Sequence, residues 1–490
     1  MTPYLWQLFW NTHGAWEALT PQQAGQHVVL DVVRMVLRVL IGLFSVLLAV
    51  PPLVWWERRL LGWMQQRQGP NRVGPFGLLQ TIADGVKLLF KEDMNPLKVD
   101  TVLFVLAPAV FLIPSLVIPG VIPWGPSHVW GAVSPNNSVG VLYLLAWSSL
   151  AVYGIVMAGW SSNNKYSLLG GLRSSAQMIS YELAMGLAVI AVVLLTGSLN
   201  LQKIVDQQGW WIYHWNLCAF FPLGLVAMLI YTISMLAETN RAPFDLPEAE
   251  TELVAGYHTE YTSMKFATFF MGEYANMIIV SAINATLFWG GYHGPIPLLD
   301  GSYWIGHLSA VSHVDFWFVH LSLYWGQILG VILSVGWFTF KVLCGLYFFI
   351  WIRATLPRLR YDMLMRFGWQ GLLPLSLITI LLIAVGITCD SQRLAGIGAG
   401  HIYAFVGAIV VYGAMLIWFA RTLPTKKFTN NTRRSVTLHS KVVPFKGSAG
   451  DAGRGGMSVP VQSSAGSIDV APGSDTSTLS ADPDDKALKS

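Results

Sequence analysis

Apolar runs of about 20 residues recur along the chain, and each is long enough to cross roughly 30 Å of membrane hydrocarbon. Hydrophobic residues make up 54% of the 490 residues, and charged residues make up only 11%. Because an average soluble domain carries about 25% charged residues, this composition excludes a water-soluble enzyme. The sequence therefore predicts an all-α fold, a polytopic transmembrane helix bundle.

The apolar runs predict eight core spans and an additional ninth. The eight are Val32–Trp55, Val102–Ile122, Val139–Gly159, Ala176–Thr196, Cys218–Leu236, Phe266–Trp289, Ile328–Ile352 and Gly371–Thr388. The ninth is Ile402–Ala420. The loops on one side of these spans hold 20 Lys and Arg residues, whereas the other side holds only Lys203 and Arg393. The positive-inside rule then places the N-terminus outside and the long charged loops inside.

These spans divide the chain into five parts. Residues 1–31 are an N-terminal outside segment, residues 32–388 are the eight-span core, and residues 389–420 hold the extra span. A basic cytoplasmic segment follows at residues 421–446. Residues 447–490 contain no aromatic residue and are rich in Gly, Ser, Ala and Asp. Because such a stretch cannot bury enough apolar area to offset the entropy of ordering, we predict a disordered tail.

The first inside loop contains a predicted amphipathic helix between Gly77 and Phe90. Its apolar residues Leu78, Leu79, Ile82, Val86 and Leu89 fall at helical spacing, with polar residues mostly elsewhere. Such a helix is expected to lie on the inner leaflet rather than to cross it. It serves either as a simple anchor or as a doorway through which an apolar ligand passes from lipid to protein, and the spacing leaves both open.

The third inside loop and its flanks carry seven of the chain's 26 acidic residues. They are Glu238, Asp245, Glu248, Glu250, Glu252, Glu260 and Glu273, against only two cations, Arg241 and Lys265. A helix starting near Asp245 would place Glu248 and Glu252 on one face, where like charges repel. Coupled acids of this kind suit proton relay, although a solvated acidic loop is the plain alternative.

Two acids lie inside predicted spans and argue more strongly for function. Glu182 and Glu273 each lie about a third of the way into a span, where an ionised carboxylate is costly in lipid. Both are therefore expected to face the bundle interior. The possible partners are Arg34, Arg38 and Lys341, although snorkelling or structural pairing would explain these cations equally well.

The sequence gives no sign of a resident cofactor. Cys218, Cys344 and Cys389 are far apart and match neither a disulfide framework nor a metal site. The chain lacks a P-loop lysine motif, an HExxH motif and a dinucleotide-binding fingerprint after a strand. We predict that this chain alone binds no nucleotide, flavin, metal or nucleic acid.

Four long stretches together identify a family. They are ERRLLGWMQQRQGPNRVGPFGLLQTIADGVKLLFKE, GWSSNNKYSLLGGLRSSAQMISYE, AETNRAPFDLPEAETELVAGYHTEYTSMKFATFFMGEY and WIRATLPRLRYDMLMRFGW. They closely resemble the quinone-channel membrane subunit of bacterial NADH:quinone oxidoreductase, which is complex I of the respiratory chain. The resemblance covers about Val32 to Ile387. That family ends after eight spans, so the ninth span and the tail lie outside the resemblance.

The resemblance implies a function that composition does not reveal. A protein of this family sits in the bacterial inner membrane, contacts other membrane-arm and hydrophilic-arm subunits as well as lipids, and forms most of the channel by which quinone enters from the bilayer. Its acidic loop and buried carboxylates begin the chain of groups that links quinone reduction to proton translocation. It is not catalytic alone and binds no cofactor, and quinone is the substrate.

The family's functional positions match residues of this sequence. For the quinone channel the resemblance implies Glu57, Arg58, Arg67 and Phe270. For proton coupling it implies Glu182, Glu238, Arg241, Asp245, Glu248, Glu250, Glu252, Glu260 and Glu273.

Two other functions stay open at this stage. The first is the homologous membrane subunit of a hydrogenase-type or ferredoxin-linked complex, although the near-complete quinone-loop motifs disfavour it. The second is a secondary ion transporter that uses the buried acids for ion coupling. Ion transport by the purified chain alone in liposomes would favour the transporter, and strict dependence on partner subunits would exclude it.

Overall fold

A computed structural model of the chain describes residues 21–126, 138–209, 211–245, 254–296, 300–302, 317–391, 406–407 and 410–414. All of these described residues belong to one compact unit of the chain. All regular elements among the described residues are helices, which confirms the predicted all-α class.

The α-helices of the described ranges follow one another in this order: α1 Pro21–Met64, α2 Gln80–Phe90, α3 Thr101–Val117, α4 Gly140–Ser161, α5 Lys165–Thr196, α6 Leu201–Gln208, α7 Leu223–Glu238, α8 Ser263–Phe288, α9 Trp317–Thr355, α10 Tyr361–Arg366 and α11 Leu373–Ser391. Short 3₁₀ turns lie at Pro75–Gly77, Ile118–Gly120, Ile212–His214 and Gly256–His258. A π-helical turn, Phe367–Leu372, joins α10 to α11.

Seven described helical segments are both long and apolar enough to cross a membrane. They are Val39–Met64, Thr101–Gly120, Gly140–Ser161, Lys165–Thr196, Ser263–Phe288, Gly330–Thr355 and Tyr361–Thr388. Each overlaps one of the predicted core spans, which confirms a polytopic helical bundle. Most of the predicted ninth span, Ile402–Ala420, lies outside the described residues.

The remaining core span is shorter than the sequence predicts. The apolar run predicts a span at Cys218–Leu236, but α7 begins only at Leu223 and has 16 residues. At 1.5 Å per residue it is about 24 Å long. The preceding residues form turns instead: the Cys218 N–H donates to Trp215 O at 2.8 Å, and Phe220 has a positive φ of 43°.

Two helices extend well beyond their predicted spans at the face predicted to be inside. α1 continues past Trp55 to Met64, and α5 begins at Lys165, with Asn164 Oδ1 accepting the Tyr166 N–H as an N-cap. Hydropathy marks only the membrane-embedded part of a helix, whereas the backbone hydrogen bonds continue into polar sequence. The extension puts Glu57 on the last two turns of α1 rather than in a loop.

Helix α8 is the central element of the candidate site. It packs against α1, α3 and α9, while α5 packs against α4, α7 and α11. In the apolar window of α8, 67% of the residues are buried inside the bundle, the highest share among the seven spans. Polar side chains on α8 therefore contact protein rather than lipid.

Gly170 of α5 tests how closely this helix must approach the turn Gly256–His258. A Cβ at Gly170 would lie 2.7 Å from the Gly256 Cα, so Gly170→Ala should separate the two elements. We expect a loss of about 1–3 kcal/mol in unfolding free energy, seen as a lower midpoint temperature for thermal unfolding of the detergent-purified protein.

Gly186→Ala on the same helix is the matched control. A Cβ there meets no described atom within 4 Å, and alanine favours a helix over glycine by roughly 0.5–1 kcal/mol. Equal unfolding midpoints for the two variants would contradict the close packing of α5 on the turn.

Candidate functional site

A carboxylate is buried near the C-terminal end of α1 and paired with two cations. Glu57 is 3% exposed, and its Oε2 accepts the Tyr274 hydroxyl at 2.5 Å. Its Oε1 accepts from the guanidinium groups of Arg353, on α9, and of Arg241, whose Nη1 is 3.4 Å away. Two cations and a hydroxyl donor together compensate for the high cost of taking this charge out of water.

Arg241 connects this carboxylate to a second one on α8. Its guanidinium carbon lies 4.2 Å from the centre of the Tyr274 ring, and the residue is only 7% exposed. Arg241 also interacts electrostatically with Glu273, the residue next to Tyr274. We name Glu57, Arg241, Glu273, Tyr274 and Arg353 the inner cluster. It joins α1, α8, α9 and the segment after α7.

Glu273 is held by the turn Gly256–His258, which lies within the acidic loop. The Tyr257 hydroxyl donates to Glu273 Oε1 at 3.1 Å, and His258 Nε2 lies 3.5 Å from the same oxygen. Glu273 is 4% exposed and both partners are buried. The turn therefore contacts the Glu273 carboxylate directly, through the Tyr257 hydroxyl and the His258 imidazole.

Two further acids lie near each other, and one of them lines a small cavity. Glu182 Oε1 accepts the Ser149 hydroxyl. Glu238, together with Tyr231 and Asn276, lines a cavity of about 20 Å³ between α3, α4, α5, α7 and α8, which has room for about one water molecule. Glu238 Oε2 is buried without a hydrogen-bond partner among the described residues, and the two carboxyl groups interact electrostatically. We name Glu182 and Glu238 the central pair.

The structure describes only part of the predicted acidic loop. Asp245 is half-buried, and Glu260 Oε1 accepts the Asn164 side-chain amide at 2.7 Å. Three predicted residues, Glu248, Glu250 and Glu252, lie outside the described residues. The shared helical face of Glu248 and Glu252 therefore stays a prediction.

The four predicted quinone-channel residues fall into two groups. Phe270 is half-buried and its ring centre lies 4.7 Å from that of Tyr274, so it adjoins the inner cluster together with Glu57. Arg58 instead turns outward and pairs with Asp84 of α2 at 2.5 Å. Arg67 lies beyond the end of α1 and is exposed. The structure thus brings together Glu57 and Phe270 but not the two arginines.

Several residues of the site are absent from the sequence predictions. They are Ser149, Tyr257, His258, Tyr274 and Arg353, which supply the hydrogen-bond donors and one of the two cations around the acids. Tyr274 follows Glu273 directly, and Arg353 lies in one of the four stretches that resemble the family. Either fact could have pointed to these two residues from the sequence. Arg353 contributes to the sequence argument only as a positive-inside charge.

Lys341 pairs with neither membrane acid. Its amine is held by backbone oxygens beyond the end of α8, those of Trp289 at 2.5 Å, Gly291 at 2.9 Å and His293 at 2.6 Å, and lies 4.3 Å from the centre of the Trp215 ring. This geometry favours the structural alternative for Lys341. The side chains of Arg34 and Arg38 lie outside the described residues.

A buried acid close to Lys341, Asp300, has its own partners. Burial raises the pKa of Asp300, but hydrogen bonds with His293 and Ser302 outweigh that effect and lower the pKa overall. Burial also raises the pKa of Tyr292 well above its usual value, and the Asp206 carboxylate beside it adds to that shift. Hydrogen bonds among these groups connect α6 to the segments after α8, and none of the groups belongs to the inner cluster.

Comparison with known proteins covers nearly all of the described chain. The family model described as NADH dehydrogenase matches residues 37–384, which include the inner cluster and the central pair. An NADH-quinone oxidoreductase subunit of Rickettsia bellii (strain RML369-C) is 50% identical over 359 residues, 73% of this chain and 94% of the relative. The same subunit of Rickettsia rickettsii (strain Iowa) is 49% identical with equal coverage. That of Rickettsia peacockii (strain Rustic) is 51% identical over 341 residues, 69% of this chain and 89% of the relative.

Removing the Glu57 charge tests how the inner cluster is held together. Glu57→Gln leaves two guanidinium groups without their shared carboxylate, and breaking a buried pair costs about 3–5 kcal/mol. We expect a clearly lower midpoint temperature for thermal unfolding of the detergent-purified protein. Asp362→Asn is the control, because it breaks an exposed pair with Arg360 at 3.5 Å that is worth at most about 1 kcal/mol. A Glu57→Gln protein as stable as this control would show that the cluster is not a stabilising ion pair.

Proposed function

The chain belongs to the NADH dehydrogenase family, as a membrane subunit of a bacterial NADH-quinone oxidoreductase, and from that premise we propose that it forms the quinone access channel and couples quinone reduction to proton translocation. Membership makes it a multi-pass membrane protein of a respiratory complex, assembled with the other subunits of that complex. The proposal concerns what this chain adds to the reaction.

The observation that carries the proposal is the continuity of the inner cluster. Arg241 pairs with Glu57 on α1, a predicted quinone-channel residue, and interacts electrostatically with Glu273 on α8, a predicted proton-coupling residue. A buried charge network of this kind responds as a unit, since changing one charge alters the electrostatic energy of the others. A change in charge on the quinone side would therefore be felt at Glu273.

The route for quinone is supported by the surface helix α2. With 11 residues it is about 16 Å long, too short to cross a membrane, and none of its side chains is buried within the chain. Ile82, Val86 and Leu89 remain exposed. An amphipathic helix with a free apolar face lies in the membrane interface, where an apolar ligand arrives from lipid. Arg58 and Asp84 join this helix to α1, which carries Glu57.

Coupling would pass from the inner cluster to the central pair. Reduction of quinone to quinol takes up two electrons, supplied by partner subunits, and two protons. The resulting demand for protons alters the charges near Glu57 and Arg241. Asn276 lies one helical turn beyond Glu273 on α8 and lines the same cavity as Glu238 of α7. The inner cluster and the central pair are therefore neighbours. A water molecule in that cavity would connect them.

The alternatives receive less support. The relatives described above are named as subunits of NADH-quinone oxidoreductase, which favours quinone chemistry over a hydrogenase-type complex. The same names disfavour an independent ion transporter.

Three expectations from the sequence belong to this proposal. The excess of Lys and Arg on one side supports an outside N-terminus. The exposed apolar faces support contact with lipids. That the chain holds no resident cofactor and takes quinone as its substrate stays a prediction.

Neutralising the central pair should separate proton translocation from assembly of the complex. Glu238→Gln and Glu182→Gln keep the size of each side chain but remove its ability to exchange a proton. We expect the rate of proton uptake into liposomes containing the purified complex to fall about tenfold, the effect of roughly 1.4 kcal/mol on a barrier. Protons translocated per NADH oxidised is the second measurement.

The exposed inside acid Asp362 provides the matched substitution. Asp362→Asn should leave both quantities at the parent level, because its side chain is in water. If both central variants pump with full stoichiometry, the coupling role assigned to this chain is lost.

A further inference from the structure

The end of the surface helix α2 is fastened to the beginning of α8 by side chains. The Ser263 hydroxyl shares its proton between Leu88 O at 3.0 Å and Lys91 O at 2.9 Å. Thr262 Oγ1 accepts the Met94 N–H at 3.2 Å. Lys265 Nζ lies 2.9 Å from Asp93 Oδ2 and 2.5 Å from Asn95 Oδ1. We name Thr262, Ser263 and Lys265 with these partners the α2–α8 latch. It contains five polar contacts across about 170 residues of sequence.

The latch gives α2 a hydrogen-bond donor for its last turn and helps to fix its position. The last four carbonyls of any helix lack intrahelical donors, and here the Ser263 hydroxyl supplies one to Leu88, in the last turn. Because α2 buries none of its side chains fully within this chain, apolar packing contributes little to fixing its position. Its position depends on the latch at one end and on the Arg58–Asp84 pair near the other.

Ser263 holds an unusual conformation at this junction. Its φ of 55° is in the left-handed region, which a non-glycine residue seldom adopts without compensation. The side chain is buried, and its two hydrogen bonds to carbonyl oxygens provide that compensation. Lys265 is similarly enclosed, with its side chain 15% exposed and its amine 5.2 Å from the centre of the Phe104 ring.

The helix that begins at the latch also carries two of the five residues of the inner cluster. Lys265 and Glu273 are eight residues apart on α8, which is about 12 Å along the axis. Phe270 lies between them. The surface helix is thus attached to the same rigid element that places Phe270, Glu273 and Tyr274.

We propose that the α2–α8 latch positions α2 at the membrane opening of the channel, and that Ser263 and Lys265 are therefore positioning residues for quinones with long apolar tails. The inference rests on the proposed function, because it needs quinone to enter past α2. A long tail must pass α2 while it leaves the lipid, whereas a short-tailed, water-soluble quinone does not depend on that helix. Loss of the latch should therefore affect the use of long-tailed quinones but not of short-tailed ones.

The Lys265–Asp93 pair allows a charge-exchange test in the intact complex. Lys265→Glu and Asp93→Lys should each raise the KM for a long-tailed quinone about threefold to fivefold, as expected for a pair worth up to about 1 kcal/mol, with kcat unchanged. The double variant Lys265→Glu with Asp93→Lys restores the pair and should restore the KM. The KM for a short-tailed quinone should stay at the parent value throughout.

Ser263→Gly is the second variant, because it removes the hydroxyl while glycine accepts the positive φ without strain. It should show the same rise in KM for the long-tailed quinone alone. A parent KM for that quinone in all latch variants, or an equal rise for both quinones, would overturn the inference.

Val86→Lys distinguishes failure of the latch from failure of the quinone route. Val86 is on the exposed apolar face of α2 but makes no contact in the latch, so a charge there should hinder a long tail directly. If Val86→Lys raises the KM and the latch variants do not, the route stands and the latch inference fails. If neither raises it, the proposed route past α2 fails as well.

Discussion

Burial of charge in a low-dielectric interior is the constraint on which the rest of this structure depends. A carboxylate moved out of water costs several kcal/mol unless cations or donors surround it. Glu57 satisfies that demand with groups 184 and 296 residues away, Arg241 and Arg353, and with Tyr274. Meeting the demand brings α1, α8, α9 and the segment after α7 together at the inside face. The inner cluster therefore organises the bundle as well as the chemistry.

The acids of the bundle fall into two energetic classes, and the difference gives them different capacities. Glu57 has two guanidinium partners, and Glu273 has an imidazole and a hydroxyl beside Arg241. Glu182 and Glu238 have no ion pair within the described residues; Glu182 accepts a serine hydroxyl, and Glu238 lines a cavity with room for water. A carboxylate fixed by cations is suited to sensing a nearby charge, whereas one with only a hydroxyl or water beside it is suited to gaining and losing a proton. Under the proposed function, the first kind would serve as the sensor and the second as the relay.

The sequence predicts what depends on local composition and fails where distant side chains meet. Apolar run length gives the spans, and the family motifs point to Glu57, Arg241, Glu273, Glu182 and Glu238. The inside ends of α1 and α5 are missed because polar residues continue a helix without any hydropathy signal. Partner assignment is harder still, since which cation meets which acid depends on how helices pack. Lys341 is therefore offered as a partner for a membrane acid although it holds backbone oxygens at the outside end, and Arg353 is counted only as a loop charge.

The surface helix shows why polar contacts can decide position in a membrane protein. Inside a soluble core, apolar burial would fix a helix of 11 residues, but most apolar side chains of α2 are exposed at the surface of the chain and would lose little by sliding along lipid. Directional contacts then fix the helix: the Arg58–Asp84 pair, and Ser263 and Lys265 at its other end. Because the latter two begin α8, a displacement of that helix near Glu273 would also move the opening to the lipid. Under the proposed function, charge compensation at the inner cluster and access from the membrane would thus be linked through one rigid helix.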